Sequence, residues 1–195
     1  MYRFRDHDVD VLTSGVGMVA TAAWCSRTCA AEHYDLALNV GLCGSFNPVV
    51  SPGTVVHVTA DRFAELGAED GDEFLSIHQL HLLNEDEFPF EGGMVVNPVP
   101  PALEPLTQLR QVSGITVNTV HGNERTIADV RARFRPDVES MEGAAFMYSC
   151  LVAGVPFAQI RAVSNVVERR NRSGWKIDEA TDALGVVAVR LLESA

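Results

Sequence analysis

A thioether and a carboxylate stand side by side at Met141-Glu142, between Val138-Glu-Ser140 and Gly143-Ala-Ala-Phe146. Residues 137–141 read as a short strand, and 143–154 as a helix of small and apolar residues that follows it. In an open α/β sheet such a hand-over lies on the carboxyl edge, where ligands bind. A carboxylate there accepts hydrogen bonds from paired hydroxyls, and the thioether offers a soft apolar floor for one face of a sugar. An acid at a helix start also caps it and complements its dipole. The residues alone leave both roles open for Glu142.

The elements that must hold this junction are those of an α/β chain, a mixed sheet flanked by helices. A strand over 9–14, the turn Gly15-Val-Gly17, a helix over 18–33 and an apolar strand over 35–40 make a right-handed βαβ unit. Gly41-Leu-Cys-Gly44-Ser45 then reads as a second glycine turn. Residues 54–59 alternate as a strand, 75–83 and 103–112 look helical, 114–120 is a β-branched strand, and 124–134 is a helix. After the Met-Glu segment come a strand over 157–163 and a final helix with Ile177, Ala180, Leu184, Val187 and Leu191 on one face. Gly15, Gly41 to Ser45, Met141-Glu142 and Ser164-Asn165 all fall at strand ends, and ends gathered on one edge make a pocket.

The 195 residues suit a single domain spanning 1–195. With 47% hydrophobic and 21% charged residues the chain is an ordinary globule rather than a disordered tail. The net charge of -11 argues against a nucleic-acid partner, whose phosphates call for clustered Lys and Arg, but allows a small nucleoside. No apolar run approaches the ~20 residues of a membrane span, and the N-terminus has no apolar signal-peptide core. Cys25, Cys29, Cys43 and Cys150 form no Cys-x-x-Cys pair and read as small buried thiols of a reducing cytoplasm. His78 and His81, near Glu85 and Asp86, lack a third fixed ligand, so neither a metal nor a cofactor is expected.

The Met-Glu stretch resembles the ribose motif of the nucleoside phosphorylase and nucleosidase superfamily. The likeness runs over nearly the whole chain, through Ser14-Gly-Val-Gly17, Asn39-Val-Gly-Leu-Cys-Gly-Ser45, Phe63-Ala-Glu-Leu-Gly-Ala-Glu-Asp70 and Val138-Glu-Ser-Met-Glu-Gly143. With Thr119-Val-His-Gly-Asn-Glu124, Arg161-Ala-Val-Ser-Asn165, Arg170-Asn-Arg172 and Trp175, the chain is most similar to the futalosine hydrolases. Those enzymes release hypoxanthine in the alternative menaquinone pathway. The resemblance implies a three-layer phosphorylase-like fold, a purine nucleoside substrate and a homo-oligomer, a dimer or larger. It implies that Glu142 grips the ribose hydroxyls and stabilises an oxocarbenium-like sugar, with Met141 packed on the sugar face. Asn165 would meet the imidazole edge of the purine, held by Ser164, and Arg161 would orient the carboxylates and the attacking water. Gly44, Ser45 and His121 would line the site, and Arg170 or Arg172 would pair with the benzoate of futalosine. For the loop arginines solvation stays open, as does turn closure for Asn165 and His121.

Adenine nucleosidases of this superfamily carry Asp at the position of Asn165. The Asn amide supplies two donors, and a 6-oxopurine offers acceptors at N7 and O6. Related phosphorylases place Arg where this chain has Asn39, and a phosphate dianion needs charge-assisted donors, so hydrolysis is expected. Relatives also begin with an additional strand carrying a water-activating acid. The fold is expected to lack that first family strand, leaving an unpaired edge and exposed apolar surface, with Glu139 and Glu142 as the nearby acids. Two other readings accompany this one: a different purine nucleosidase or phosphorylase, of the methylthioadenosine/adenosylhomocysteine nucleosidase kind, and a nucleoside-binding homologue without turnover.

Overall fold

The computed structural model describes residues 2–195. A hairpin of β1 (Tyr2–Phe4) and β2 (His7–Val9) precedes α1 (Met18–Ala31), β3 (Ala37–Ser45) and β4 (Val55–Asp61). A second hairpin, β5 (Gly67–Asp70) with β6 (Glu73–Ser76), is followed by β7 (Phe90–Glu91), β8 (Met94–Val96) and the short α2 (Glu104–Gln108). Then come β9 (Arg110–Thr116), α3 (Glu124–Phe134), β10 (Val138–Ser140), α4 (Gly143–Ala153), β11 (Phe157–Val166) and α5 (Ile177–Ser194).

One mixed sheet runs in the order β11-β3-β10-β9-β4-β8-β7, and β11 also pairs with β4, so the first five strands close into a ring. Cys43, Val56, Val58, Val112, Val138 and Val163 pack as one cluster drawn from all five ring strands. Residues of alternate parity face the helices instead: Ala158 and Ile160 of β11 meet Leu106 of α2 and Leu191 of α5. The small residues of α4 let it lie close to the sheet, where Ala144, Met147 and Cys150 pack with Cys25 of α1 and Phe157. On α5, Ala180 and Leu191 are buried and Leu184 and Val187 partly so, while Ile177 is left exposed.

Several elements depart from their sequence patterns, each because of its neighbours. The segment expected as a strand over 9–14 is unpaired after Val9, with Val11 and Leu12 exposed. An alternating segment needs a partner for its backbone groups, and among the described residues none lies beside it, so the expected βαβ unit does not form. Residues 37–43 of β3 pair with β11 only; Gly44 and Ser45 alone also pair with β10, leaving an open edge where Val40 is exposed. β3 does not stop at Gly41 to turn, but continues to Ser45. The helical look of 75–83 yields to pairing of β6 with β5 and to a left-handed φ of 55° at His81. The helix expected over 103–112 ends at Gln108 because Arg110 already pairs with Val56 in β9, which stops at Thr116.

Candidate active site

Glu142 immediately precedes α4, yet its side chain makes no capping bond. Ser140 Oγ accepts from the Gly143 N–H at 3.1 Å and Thr116 Oγ1 from the Ala144 N–H at 2.7 Å. Hydroxyls therefore satisfy amides that a helix start leaves unpaired, and the carboxylate turns elsewhere. Its Oε1 accepts from the Gly17 N–H at 3.1 Å, and its Oε2 lies 3.4 Å from Arg161 Nη1. Gly17, with φ at 94°, holds a conformation that suits glycine and aims its N–H at the acid.

Arg161 is 2% exposed, and every nitrogen of its guanidinium has a partner. Nε donates to Gln159 Oε1 at 3.1 Å, Nη2 to Asn39 Oδ1, and Nη1 to the Leu42 carbonyl at 3.4 Å as well as to Glu142. A Cβ on Gly41 would overlap the guanidinium. The glycine in mid-strand is thus there for the crossing arginine rather than for a turn.

Asn165 pairs with Gly44 across β11 and β3, just after a register shift at Val163. Ser164 Oγ donates to Asn165 Oδ1 at 2.8 Å, and Asn165 Nδ2 donates to the Val166 carbonyl at 2.9 Å. One Nδ2 hydrogen is left over. A Cβ on Gly44 would sit 3.4 Å from Asn165 Nδ2 and 3.6 Å from Glu139 Cγ, so the amide and the Glu139 side chain flank that glycine. Glu139 is buried and holds His121 twice, accepting its backbone N–H at 3.1 Å and lying 2.7 Å from its Nδ1.

Glu142 and Asn165 do not share one edge of the sheet, as the strand ends had suggested. β10 runs antiparallel to β3, with Glu139 opposite Gly44, so the chain leaving β10 heads back along β3 toward Gly41. Glu142 there meets the arginine that crosses β3 at Gly41, while Asn165 stands at Gly44. Gly41 and Gly44 lie three residues apart, about 10 Å of strand. An amide and a carboxylate that holds a histidine gather at Gly44, and a carboxylate with a guanidinium at Gly41.

Met141 is partly buried beside Glu142. Ser45 is buried and its Oγ closes its own turn, donating to the Asn47 carbonyl at 2.9 Å, so it presents no hydroxyl outward. Arg170 and Arg172 are exposed and lie over the Trp175 ring, 5.3 and 5.8 Å from its centroid. A cavity of about 590 Å³ next to Asn165 is lined by Ile127, Arg131, Val166, Val167 and Arg169. Another of about 380 Å³, beside the glycine turn into α1, is lined by Met18, Phe63, Leu66, Phe90 and Tyr148. Glu142 and Asn165 line neither of these cavities. His78 Nδ1 is 3.1 Å from the Leu83 carbonyl, and no metal-binding group of three His, Cys, Asp or Glu occurs among the described residues.

The model of the phosphorylase superfamily matches residues 1–193. The chain belongs to the phosphorylase superfamily. Within that superfamily it is 34% identical over 196 residues to the futalosine hydrolase of Streptomyces coelicolor, covering 92% of this chain and 78% of that protein, which sets it in the futalosine hydrolase family. It is 26% identical to a 5′-methylthioadenosine/S-adenosylhomocysteine nucleosidase of Chromohalobacter salexigens, covering 84% of this chain and 69% of that one. The structure of the Helicobacter pylori futalosine hydrolase superposes with a TM-score of 0.74 at 13% identity, over 93% of this chain and 78% of that one, a likeness of fold.

In this superfamily member the partners of Arg161 were missed from sequence, and so were the hydroxyls that cap α4. The signal for the first was present: Gln159 and Arg161 alternate on one face of the otherwise apolar run Phe157-Ala-Gln-Ile-Arg-Ala-Val163. Two polar side chains on one face of a buried strand must find partners. Asp61, which accepts from Gln159 Nε2 at 3.1 Å, lies beyond the expected end of its strand at residue 59. Nothing local marked Thr116 as a cap, since it lies 28 residues from the amide it meets.

Proposed function

We propose that the protein hydrolyses the N-glycosidic bond of futalosine, releasing hypoxanthine and dehypoxanthine futalosine for menaquinone biosynthesis. The observation that carries this reading is the orientation of the Asn165 amide. Nδ2 gives one hydrogen to the Val166 carbonyl while Oδ1 faces the Ser164 hydroxyl, so the amide keeps one N–H to offer a base. A donor suits N7 or O6 of a 6-oxopurine, whereas the amine of adenine asks for an acceptor. Family membership supports the same substrate.

In the proposed reaction the N9–C1′ bond breaks and its electron pair leaves with the purine. Water adds its oxygen at C1′, and the proton it loses ends on the purine. Asn165 stabilises the departing base by donating to it as negative charge builds. Glu142 accepts from the ribose 2′- and 3′-hydroxyls and offsets the positive charge on the sugar, while Arg161 keeps that carboxylate aimed. Met141 packs on the sugar face. His121, clamped by Glu139, borders the base. The benzoate is met by an arginine of the loop after Asn165, where Arg169 lines the adjoining cavity and Arg170 and Arg172 flank Trp175. Asn39 is engaged with Arg161, and among the described residues no free cation stands there for phosphate, which favours water as the acceptor. The protein works in the cytoplasm, a reading supported by four free thiols and by the lack of a membrane-crossing helix among the described residues.

Incubation with futalosine, with and without phosphate, tests the reading by chromatography of the products. Hypoxanthine is released at the same rate in both. Release that depends on phosphate would make the protein a phosphorylase, preferential turnover of methylthioadenosine would reassign the base, and tight hypoxanthine binding without turnover would make it a binding homologue.

A further inference from the structure

Asp61, at the end of β4, is a carboxylate with no route to a ligand: it is 1% exposed, as is Gln159 beside it. Its Oδ1 accepts from the Arg62 N–H at 2.8 Å and from Thr116 Oγ1 at 3.0 Å. Its Oδ2 accepts from Gln159 Nε2 at 3.1 Å. Gln159 Oε1 in turn accepts from Arg161 Nε at 3.1 Å, and Arg161 Nη1 reaches Glu142. Four side chains thus form one line from the interior to the candidate site, and Gly143 is the backbone that closes over it. A Cβ there would overlap both Asp61 Oδ2 and Gln159 Oε1.

We infer that Asp61 is a positioning residue for the reaction: by dictating which way the Gln159 amide faces, it fixes the Arg161 guanidinium against Glu142. The reason lies in donor and acceptor polarity. An ionised carboxylate only accepts, a guanidinium only donates, and the amide between them has one accepting and one donating end. A single orientation satisfies both neighbours. If Asp61 ceases to be a pure acceptor, the amide meets a donor at one end or the other, and Arg161 loses its hold on Nε. A second line runs the same way, since the Thr116 hydroxyl that donates to Asp61 also receives the Ala144 N–H at the start of α4, two residues past Glu142. Burial raises the Asp61 pKa to about 6 against the opposing pull of these bonds, so the site retains an acid where an apolar residue would be cheaper to bury.

The inference deepens the proposed function and rests on it, because it takes the Arg161–Glu142 pair as the grip on the ribose. Its test compares Asp61→Asn with the double variant Asp61→Asn/Gln159→Glu. In the single variant an amide faces an amide, and one donor is left against another. In the double variant the amide introduced at position 61 donates to the carboxylate introduced at position 159. That carboxylate accepts from Arg161 Nε, so the order of donors and acceptors is whole again. For the single variant kcat on futalosine falls at least about tenfold, as expected of a misaligned grip, with hypoxanthine affinity changed less than about threefold. The double variant regains most of the lost kcat. Unchanged kcat in Asp61→Asn, or no recovery in a double variant that unfolds at the wild-type temperature, overturns the inference. Gln159→Met removes the amide without touching the acid and is read the same way should Asp61→Asn fail to fold: its kcat falls as well, and a wild-type kcat overturns the inference. A wild type that releases no hypoxanthine counts against the proposed function instead. Crystal structures then decide this point alone, since Arg161 stays on Glu142 in the wild type and leaves it in Asp61→Asn, and an unmoved Arg161 overturns the inference.

Discussion

At the scale of single residues, the site depends on which polar atoms are already engaged. Glu142 is spared capping work by Ser140 and Thr116, and its carboxylate contacts only the Gly17 N–H and Arg161 among the described residues. Glu142→Gln keeps the shape and removes the charge that offsets a cationic sugar. Its kcat on futalosine should fall by about a hundredfold or more, measured as initial hypoxanthine release; turnover near wild type would remove Glu142 from the mechanism. Asn165 presents a donor because only one of its two Nδ2 hydrogens goes to the Val166 carbonyl, with Oδ1 turned to Ser164. Asn165→Asp puts an acceptor at that edge and should shift preference from 6-oxo to 6-amino purine nucleosides, read as the ratio of kcat/KM for futalosine and its 6-amino counterpart. An unchanged ratio would leave the base assignment without support. These consequences were only half legible in the chain. The Met-Glu pair announces itself by type and neighbours, but whether an acid caps its helix depends on a threonine from another strand.

At the scale of elements, β4 carries two buried ionisable groups of opposite effect. His57 alternates with Val56 and Val58 and so faces the helices, opposite Ile160 of β11; its Nε2 is buried without a hydrogen-bond partner among the described residues. Burial lowers its pKa to about 4. The folded state therefore binds fewer protons than the unfolded chain between about pH 4 and 6.5, and stability is lost as pH falls through that window. Asp61, raised to about 6, works the other way: its carboxyl favours the folded state at low pH, a benefit lost as pH rises toward 6. The two partly cancel in the wild type. His57→Leu, of similar volume and apolar, isolates one of them. Relative to this variant the wild type should lose on the order of 2 kcal/mol between pH 7 and pH 4.5, measured by urea unfolding. Parallel stability curves would show that the ring does not titrate in this range. The alternation of β4 was readable from sequence. The misreading of 9–14 has the same physical origin as the correct reading of β4: strand patterning marks a capacity to pair, and only a neighbour realises it.

At the scale of the whole molecule, apolar residues remain uncovered on α1 and α4, the two helices that lie against each other. Val16 in the turn before α1 and Val19 in its first turn are 77% and 79% exposed, and Tyr148 and Val152 of α4 are 38% and 59% exposed. Exposed apolar groups in such number along adjoining helices are what a protein interface covers. The protein is expected to sediment as a dimer or larger assembly at micromolar concentration, and Val19→Glu with Val152→Glu should shift it toward monomer. A wild type that sediments as a monomer throughout would rule out assembly through this face.

What the chain determined by itself was the set of parts: an α/β order of elements, glycines spaced along β3, a carboxylate beside a thioether before a small-residue helix, and an amide after a buried strand. These follow from periodicity and residue type, which act over a few positions. The tertiary structure decided how the parts meet. It closed the sheet through β11 and β4, ran β10 against β3 so that the acid and the amide lie along one strand rather than on one rim, and joined Asp61 to Glu142 through residues far apart in sequence. Such pairings depend on donors and acceptors brought together across strands, and no local pattern encodes which distant partner a buried polar group will find.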